Sequence, residues 1–258
     1  MTKALIWDIE TSPMEVYSWG LYPKMLPHGN IKRDWYIICG AWKWHGQKKV
    51  HTAAVDPKDC LRFAREGGEA PDRAVVAALA DAVREADFII AHNGDAFDLK
   101  KLNARVIAYG LEPIPPVRSV DTLKELRKVA KFSSNRLDHI AGVLLEDGGK
   151  IKTDFSLWTR IMGGEKKALK EMLRYNRRDV TELERVYEYL RPYMKAHPNV
   201  NIGDPEASYV PKCPACGSKD LQKRGKARTQ TMEYQRYQCK SCGSWSRDSR
   251  VTGGILKK

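Results

Sequence analysis

Cysteine is sparse, with six in 258 residues, and acids are short of bases, 32 Asp and Glu against 45 Lys and Arg. So few cysteines exclude a disulfide-scaffolded secreted protein. No apolar run approaches the roughly 18 residues a membrane span needs, and the opening MTKALIWDIE has no apolar leader core before its first acids. The expectation is a soluble cytoplasmic protein with no membrane partner. Internal repeats and low-complexity stretches are also lacking, and with 42% hydrophobic and 30% charged residues the composition excludes wholesale disorder. The deficit of acid leaves a net charge of +13, which points to a polyanionic partner. No basic amphipathic helix stands out, so nucleic acid is favoured over a lipid surface.

The chain reads as two units. Residues 1–195 alternate strand-like and helix-like patterns, residues 196–211 break them with Pro, Gly and Asn as a linker, and residues 212–258 carry the basic tail. From Glu206 to Lys258 there are twelve Lys and Arg against four Asp and Glu, a balance of +8 that leaves +5 for everything before. In the first unit, Lys3 to Ile9 reads as a buried strand, and Trp35 to Trp44 with Val50 to Val55 as a hairpin turning near His45 to Lys49. The segment after Pro71 has helical periodicity, Asp87 to Ala91 reads as a strand and Phe97 to Tyr109 as a helix. Two short helices follow between Leu123 and Leu145, with Asn135 as an N-cap, then a long helix or helix pair from Lys166 to Tyr193. This is an α/β domain whose second half is mostly helical.

Acids hold the chemistry. Asp8 and Glu10 sit two apart on an otherwise apolar strand, so both face the same way. Such a pair is costly when buried unless a cation compensates it, and hard oxygen ligands suit Mg²⁺ or Mn²⁺. A solvated strand end is the plain alternative. In AHNGDAFDLKKL, Phe97 is expected to anchor a helix to the core while Asp98 faces the cleft, and Asp95 is expected to cap that helix. Tyr175 and Asp179 in YNRRD are four apart on one helix face, a spacing that core packing also explains. Asp121 reads as a helix N-cap, and His92 and His139 as packed or hydrogen-bonding residues. Cys39 and Cys60 have no neighbouring base to make a reactive thiolate. Trp19, Tyr22, Trp35 and Tyr36 are candidates for base stacking or for core.

Together, WDIETSP, AHNGDAFDLKKL and YNRRD resemble the three motifs of the DEDD (DnaQ-like) 3′–5′ exonucleases, which have a ribonuclease H-like fold. The position five before the last acid is Arg174 and the position four before it is Tyr175, so the pattern is similar to the tyrosine branch (DEDDy). The overall pattern resembles the free-standing YprB ribonuclease H-like type, over residues 3 to about 190. This likeness implies a mixed sheet flanked by helices and a metal-dependent phosphodiester hydrolase. It implies that Asp8, Glu10 and Asp179 hold one of two Mg²⁺ or Mn²⁺ ions, that Asp8 and Asp98 position the second, and that Tyr175 orients the attacking water. Asn93, ahead of the Phe97-Asp98 pair, is assigned to nucleic-acid contact. Two ions provide the chemistry without a side-chain nucleophile, and carboxylate crowding before metal binds is expected to raise pKa values.

The tail has its own signal. Cys213 and Cys216 (CPAC), then Cys239 and Cys242 (CKSC), form two CxxC pairs, each followed by a glycine, which suits one structural Zn²⁺. An iron centre is the alternative set of ligand chemistry. The intervening segment reads as a β-hairpin with one charged face and resembles the zinc ribbons of transposases and transcription factors. Lys223, Arg224, Lys226, Arg228 and Arg236 are placed on phosphates, and Tyr234, Tyr237 or Trp245 on bases, against the alternative of a solvated basic face. The reading is thus a 3′–5′ exonuclease preferring single-stranded DNA, with a replication or repair protein as a possible partner. An exoribonuclease, a structure-specific endonuclease and a non-catalytic recruitment module are the rivals.

Overall fold

The computed structural model describes residues 2–148 and 153–254. Strand β1 spans Ala4–Thr11, β2 Glu15–Val16, β3 Ile31–Arg33, β4 Ile37–Trp44 and β5 His51–Ala54. Helices α1 (Pro57–Glu66) and α2 (Arg73–Arg84) lead to β6 (Phe88–Ala91), α3 (Asp98–Ala108) and β7 (Arg118–Asp121). Then come α4 (Thr122–Val129), α5 (Leu137–Leu144), α6 (Ser156–Met162) and the long α7 (Lys166–Leu190). A C-terminal module holds β8 (Leu221–Arg228), β9 (Met232–Cys239) and β10 (Trp245–Gly254).

The main sheet has the order β5-β4-β1-β6-β7. β4 pairs antiparallel with β1 and forms the expected hairpin with β5, while β6 and β7 run parallel to β1. Period-two alternation sorts β1 onto two cores. Leu5, Trp7 and Ile9 pack with Val75, Val76 and Leu79 of α2 and Leu102 and Val106 of α3. Ala4 and Ile6 face the other way, onto Val180, Leu183 and Tyr187 of α7. Asp8 and Glu10 continue that second row, so the alternation that buries Ile6 aims both carboxylates at α7.

Several local expectations are corrected. Helices α1 and α6 and strand β7 form on stretches where the sequence pattern predicts no element. Phe97 is 37% exposed and does not anchor α3, whose buried residues are Asp98, Leu102 and Val106. Asp95 does not cap α3, which has no side-chain cap; it pairs instead with Lys124 at 2.6 Å. Asn135 is not the cap of α5, since the cap position is Arg136. Asp121 does cap α4, accepting from the N–H groups of Leu123 and Lys124. The same carboxylate accepts from Asn93 at 2.9 Å and Asp95 at 3.4 Å, tying the β6–α3 turn to β7.

That turn is tight. Asn93 sits at φ 70°, a left-handed conformation that asparagine tolerates better than most residues. A Cβ on Gly94 would lie 2.3 Å from the Ala91 Cβ and 3.6 Å from Asp98 Oδ2. Gly94→Ala is therefore expected to destabilise the protein by about 1–3 kcal/mol, as overpacked sites do. Urea unfolding checks this; an unchanged midpoint would show that the turn relaxes freely.

Candidate active site and cysteine cluster

Three elements converge toward the carboxyl end of β1. Ligand oxygens of Asp8, Glu10 and Asp179 all lie within 4.8 Å of one another. Asp98, the first residue of α3, is buried beside them, and its Oδ1 accepts the Ile9 N–H at 3.0 Å. The last β1–β6 pair is Ile6 with Ile90, so this N–H has run past the sheet ladder and the carboxylate takes the place of a strand partner. Tyr175, one turn before Asp179 on α7, lies beside the Asp179 carboxylate.

The sequence reading missed Asn176. It is completely buried in the apolar stripe of α7, between Met172 and Val180. Its Nδ2 donates to Asp8 Oδ2 at 2.7 Å and to the Asp8 carbonyl at 3.4 Å, and Cys39 Sγ approaches its Oδ1 at 3.9 Å. A polar residue at a position that helical periodicity assigns to the core was the available signal, because a buried amide demands partners.

Burial and like charge act together on the acids. Asp8 is pushed well above the ordinary carboxylate range, first by burial and then by the charges of Asp98, Glu10 and Asp179, with the Asn176 bond opposing. Glu10 is raised to about 8 by burial and by Asp179 and Asp98. Asp98 reaches about 7, burial outweighing the bond from Ile9, and Asp179 about 7, burial outweighing the lowering influence of the Tyr175 hydroxyl. Burial and the neighbouring carboxylates keep the Tyr175 phenol protonated. Among the described residues, no lysine or arginine forms an ion pair with any of the four acids. A cluster of hard oxygens, crowded and uncompensated, fits a divalent cation.

Other candidates lie elsewhere. His92 is committed to Thr122 Oγ1 at 2.9 Å and the Asn135 carbonyl at 2.8 Å, a hydrogen-bonding role as expected. Tyr36 is core, whereas Trp35 is half-buried under Lys101, whose Nζ lies 3.5 Å from the ring centroid. Trp19 and Tyr22 stand almost wholly in solvent on the segment joining β2 and β3. His45, Glu184 and Glu188 also cluster, but Glu184 is ion-paired with the buried Lys43 and accepts the Gly46 N–H, so it is already satisfied.

The four cysteines of the C-terminal module come together. Sγ atoms of Cys213 and Cys242 are 3.6 Å apart, and those of Cys216 and Cys239 are 3.7 Å apart. Four sulfurs about 2.3 Å from a tetrahedral ion would be separated by about 3.8 Å, so the cluster fits one Zn²⁺ with no open position. Two matching knuckles shape it. Gly217 and Gly243 both have φ 75°, and their N–H groups bond the carbonyls of Cys213 and Cys239 at 2.8 and 2.9 Å.

The expected single charged face is corrected. Cross-strand partners share a face, and Lys223, Lys226, Arg228 and Tyr237 fall on one side of the module. Arg236 falls on the other with Tyr234, Trp245 and Arg247, and Arg224 reaches toward that side to bond Gln238. A bulge at Gly225, φ 65°, makes this division possible. Lys226 and Arg228 both pair with Glu233, which reduces the charge they offer outside. Opposite them, Arg247 stacks 3.8 Å over Tyr234 and Arg236 5.0 Å over Trp245.

The family model of the RNase_H superfamily matches residues 50–191, more than half of the chain. The chain belongs to the RNase H superfamily. Its mixed sheet flanked by helices has that superfamily's fold, which is compatible with nuclease activity, and RNase H-like nucleases use divalent metals and bind nucleic acid. The matched region contains Asp98, Tyr175 and Asp179, while Asp8 and Glu10 precede it. A family B DNA polymerase from the hyperthermophilic archaeon Pyrobaculum calidifontis is similar in structure, with TM-score 0.49 and 18% identity over 74% of this chain. The chain spans 25% of that polymerase's length. No curated protein matches the chain. Among the described residues, no helix is long and apolar enough to cross a membrane.

The raised acids set a direction for pH. Folded values of Glu10, Asp98 and Asp179 lie above the ordinary carboxylate values, so the folded protein binds more protons than the unfolded chain between about pH 4 and 8. Their contribution to stability is complete below the unfolded values and is lost as pH rises through 7 to 8. Without added divalent ion, Tm is expected to fall between pH 6 and 8.5, and Mg²⁺ or Mn²⁺ should restore it. Thermal scans of wild type beside Asp98→Asn, which should fall less, check both signs.

Proposed function

We propose that this protein is a metal-dependent 3′–5′ exonuclease of the tyrosine-branch DEDD type, acting by preference on single-stranded DNA. In this reading residues 1–195 form the nuclease, residues 196–211 a linker and residues 212–258 a zinc ribbon that helps grip nucleic acid. The observation that carries it is the meeting of Asp8, Glu10 and Asp179 within 4.8 Å, with Asp98 and Tyr175 beside them.

Asp8, Glu10 and Asp179 would hold one ion, and Asp8 and Asp98 a second. Bound divalent ions would lower the pKa of water and neutralise charge on the phosphate and the leaving 3′-oxygen. The protein's own part is positional. Asn176 fixes the Asp8 carboxylate, the Ile9 N–H fixes Asp98, and the protonated Tyr175 hydroxyl, beside Asp179, orients a water toward phosphorus. Asn93 at the turn, and Lys223, Arg224, Lys226, Arg228, Arg236 and Tyr237 on the ribbon, are assigned to nucleic-acid contacts.

A 5′-labelled single-stranded DNA and its RNA counterpart, incubated with Mg²⁺, Mn²⁺ or EDTA, test this directly. A ladder shortening from the 3′ end, stronger on DNA and absent with EDTA or in Asp8→Ala, is the expected result; intact 3′ ends in every lane would refute the activity. Tyr175→Phe is expected to slow cleavage by about 100-fold while leaving DNA affinity unchanged, the scale of losing one positioned proton-handling group.

The exposed Trp19 and Tyr22, on the segment joining β2 and β3, are assigned to stacking on unpaired bases. Stacking contributes about 1–3 kcal/mol per base, so Trp19→Ala with Tyr22→Ala should weaken oligonucleotide binding in Ca²⁺ by at least about tenfold. Hydrolysis of the p-nitrophenyl ester of thymidine 5′-monophosphate, which has no second base to stack, should be unchanged in the same variant.

A further inference from the structure

The cysteine cluster does not hang free on its linker. Gly243 packs against Pro192 so closely that a Cβ there would lie 3.2 Å from Pro192 Cγ, and Ser244 Oγ donates to the Arg191 carbonyl at 3.4 Å. From the other knuckle, Asn201 Nδ2 donates to the Cys213 carbonyl at 3.0 Å and the Val200 N–H to the Pro214 carbonyl at 2.8 Å. Thr2 Oγ1 then donates to the Val200 carbonyl at 2.5 Å, joining the segment to the start of β1. A cleft of about 1200 Å³ runs beneath, lined by Ala4, Phe88, Arg118, Tyr187, Arg191 and Cys216. These residues lie at the opposite end of the sheet from the acids, and the sixteen residues of chain from Tyr175 to Arg191 span about 24 Å at helical rise.

Docking here brings two negative features together. Carbonyls at the C-terminus of α7 carry the negative end of the helix dipole. Four thiolates around one Zn²⁺ carry a net charge of −2. Between them sits Arg191, immediately after Leu190 at the end of α7. Its guanidinium lies 5.6 Å from the Tyr187 ring centroid and within electrostatic reach of Cys242 and Cys216. Its buried Nε has no hydrogen-bond partner among the described residues. A half-buried guanidinium with an unpartnered Nε, close to Cys216 and Cys242, is costly alone and compensated when the cysteines become thiolates around a metal.

We infer that Arg191 is the positioning residue that couples metal loading of the cysteine module to its docking on α7, so that zinc occupancy and docking form one equilibrium. This rests on the reading of the four cysteines as a Zn²⁺ site. The metal-loaded module seats on the helix end because Arg191 offsets both negative partners. Loss of the ion leaves the guanidinium uncompensated and releases the module, together with its contacts to Val200 and Thr2.

The test uses the full-length chain in three forms: wild type, Arg191→Met and Arg191→Lys. Zinc transfer to the chromogenic chelator 4-(2-pyridylazo)resorcinol reads affinity, and hydrogen exchange at the Val200 amide reads docking. Wild type should hold one zinc per chain and protect Val200. Arg191→Met should bind zinc about tenfold more weakly, the scale of one charge interaction at a half-buried site, and lose that protection. Arg191→Lys should behave nearly as wild type, and zinc-stripped wild type should lose Val200 protection while keeping the amides of β1 and β4 protected. Equal zinc affinity in the Met variant, equal loss in Met and Lys, or protection of Val200 without zinc would each overturn the coupling. Wild type that binds no zinc would overturn it too, and would do so by removing the metal site itself.

Discussion

Four carboxylates forced into one poorly solvated corner set the terms for the rest of the molecule. An ionised carboxylate taken out of water costs several kcal/mol even after relaxation, and here Asp8, Glu10, Asp98 and Asp179 raise one another's cost further. The surrounding apolar packing must outweigh that penalty. It comes from both faces of β1: Leu5, Trp7 and Ile9 against α2 and α3, and Ile6 against α7. Each fully buried side chain of this kind contributes roughly 1.5–3 kcal/mol. The acids are thus held in place by the strand and helices that carry them, and their mutual repulsion is what a divalent cation would relieve.

Helix α7 is the spine connecting the parts. Its buried stripe begins against one core with Ala168 and Met172 and ends against the other with Val180, Leu183 and Tyr187. Asn176 lies where the two meet, and its amide serves Asp8 instead of breaking the packing. At its far end the same helix meets the cysteine knuckles through Arg191 and Pro192. One rigid element therefore carries Tyr175 and Asp179 at one level and receives the C-terminal module about 24 Å away along the helix.

That separation changes how the basic tail is understood. Charge concentrated in sequence does not stay concentrated in space, because a three-stranded sheet has two faces. Lys226 and Arg228 meet Glu233 on one side, while Arg236 and Arg247 stack on Trp245 and Tyr234 on the other. The arginine–aromatic face offers cations and ring surfaces together, a combination that suits stacked bases and phosphates.

Local pattern was enough for much of this. Alternation along ALIWDIE put Asp8 and Glu10 on one face, the i to i+4 spacing put Tyr175 beside Asp179, and paired CxxC with following glycines marked two cysteine knuckles, because strand, helix and tight-turn geometry are properties of a few adjacent residues. Local pattern also misled where a neighbour distant in sequence supplied the partner: Asp95 is drawn to Lys124 instead of capping α3, and Phe97 is left at the surface. Only the tertiary structure brought Asn176 to Asp8, Asp98 to the Ile9 N–H and Arg191 to the cysteine cluster. Those pairings bridge 168, 89 and some 50 residues of chain, and no periodicity within a strand or helix encodes a contact that exists only once separate elements pack.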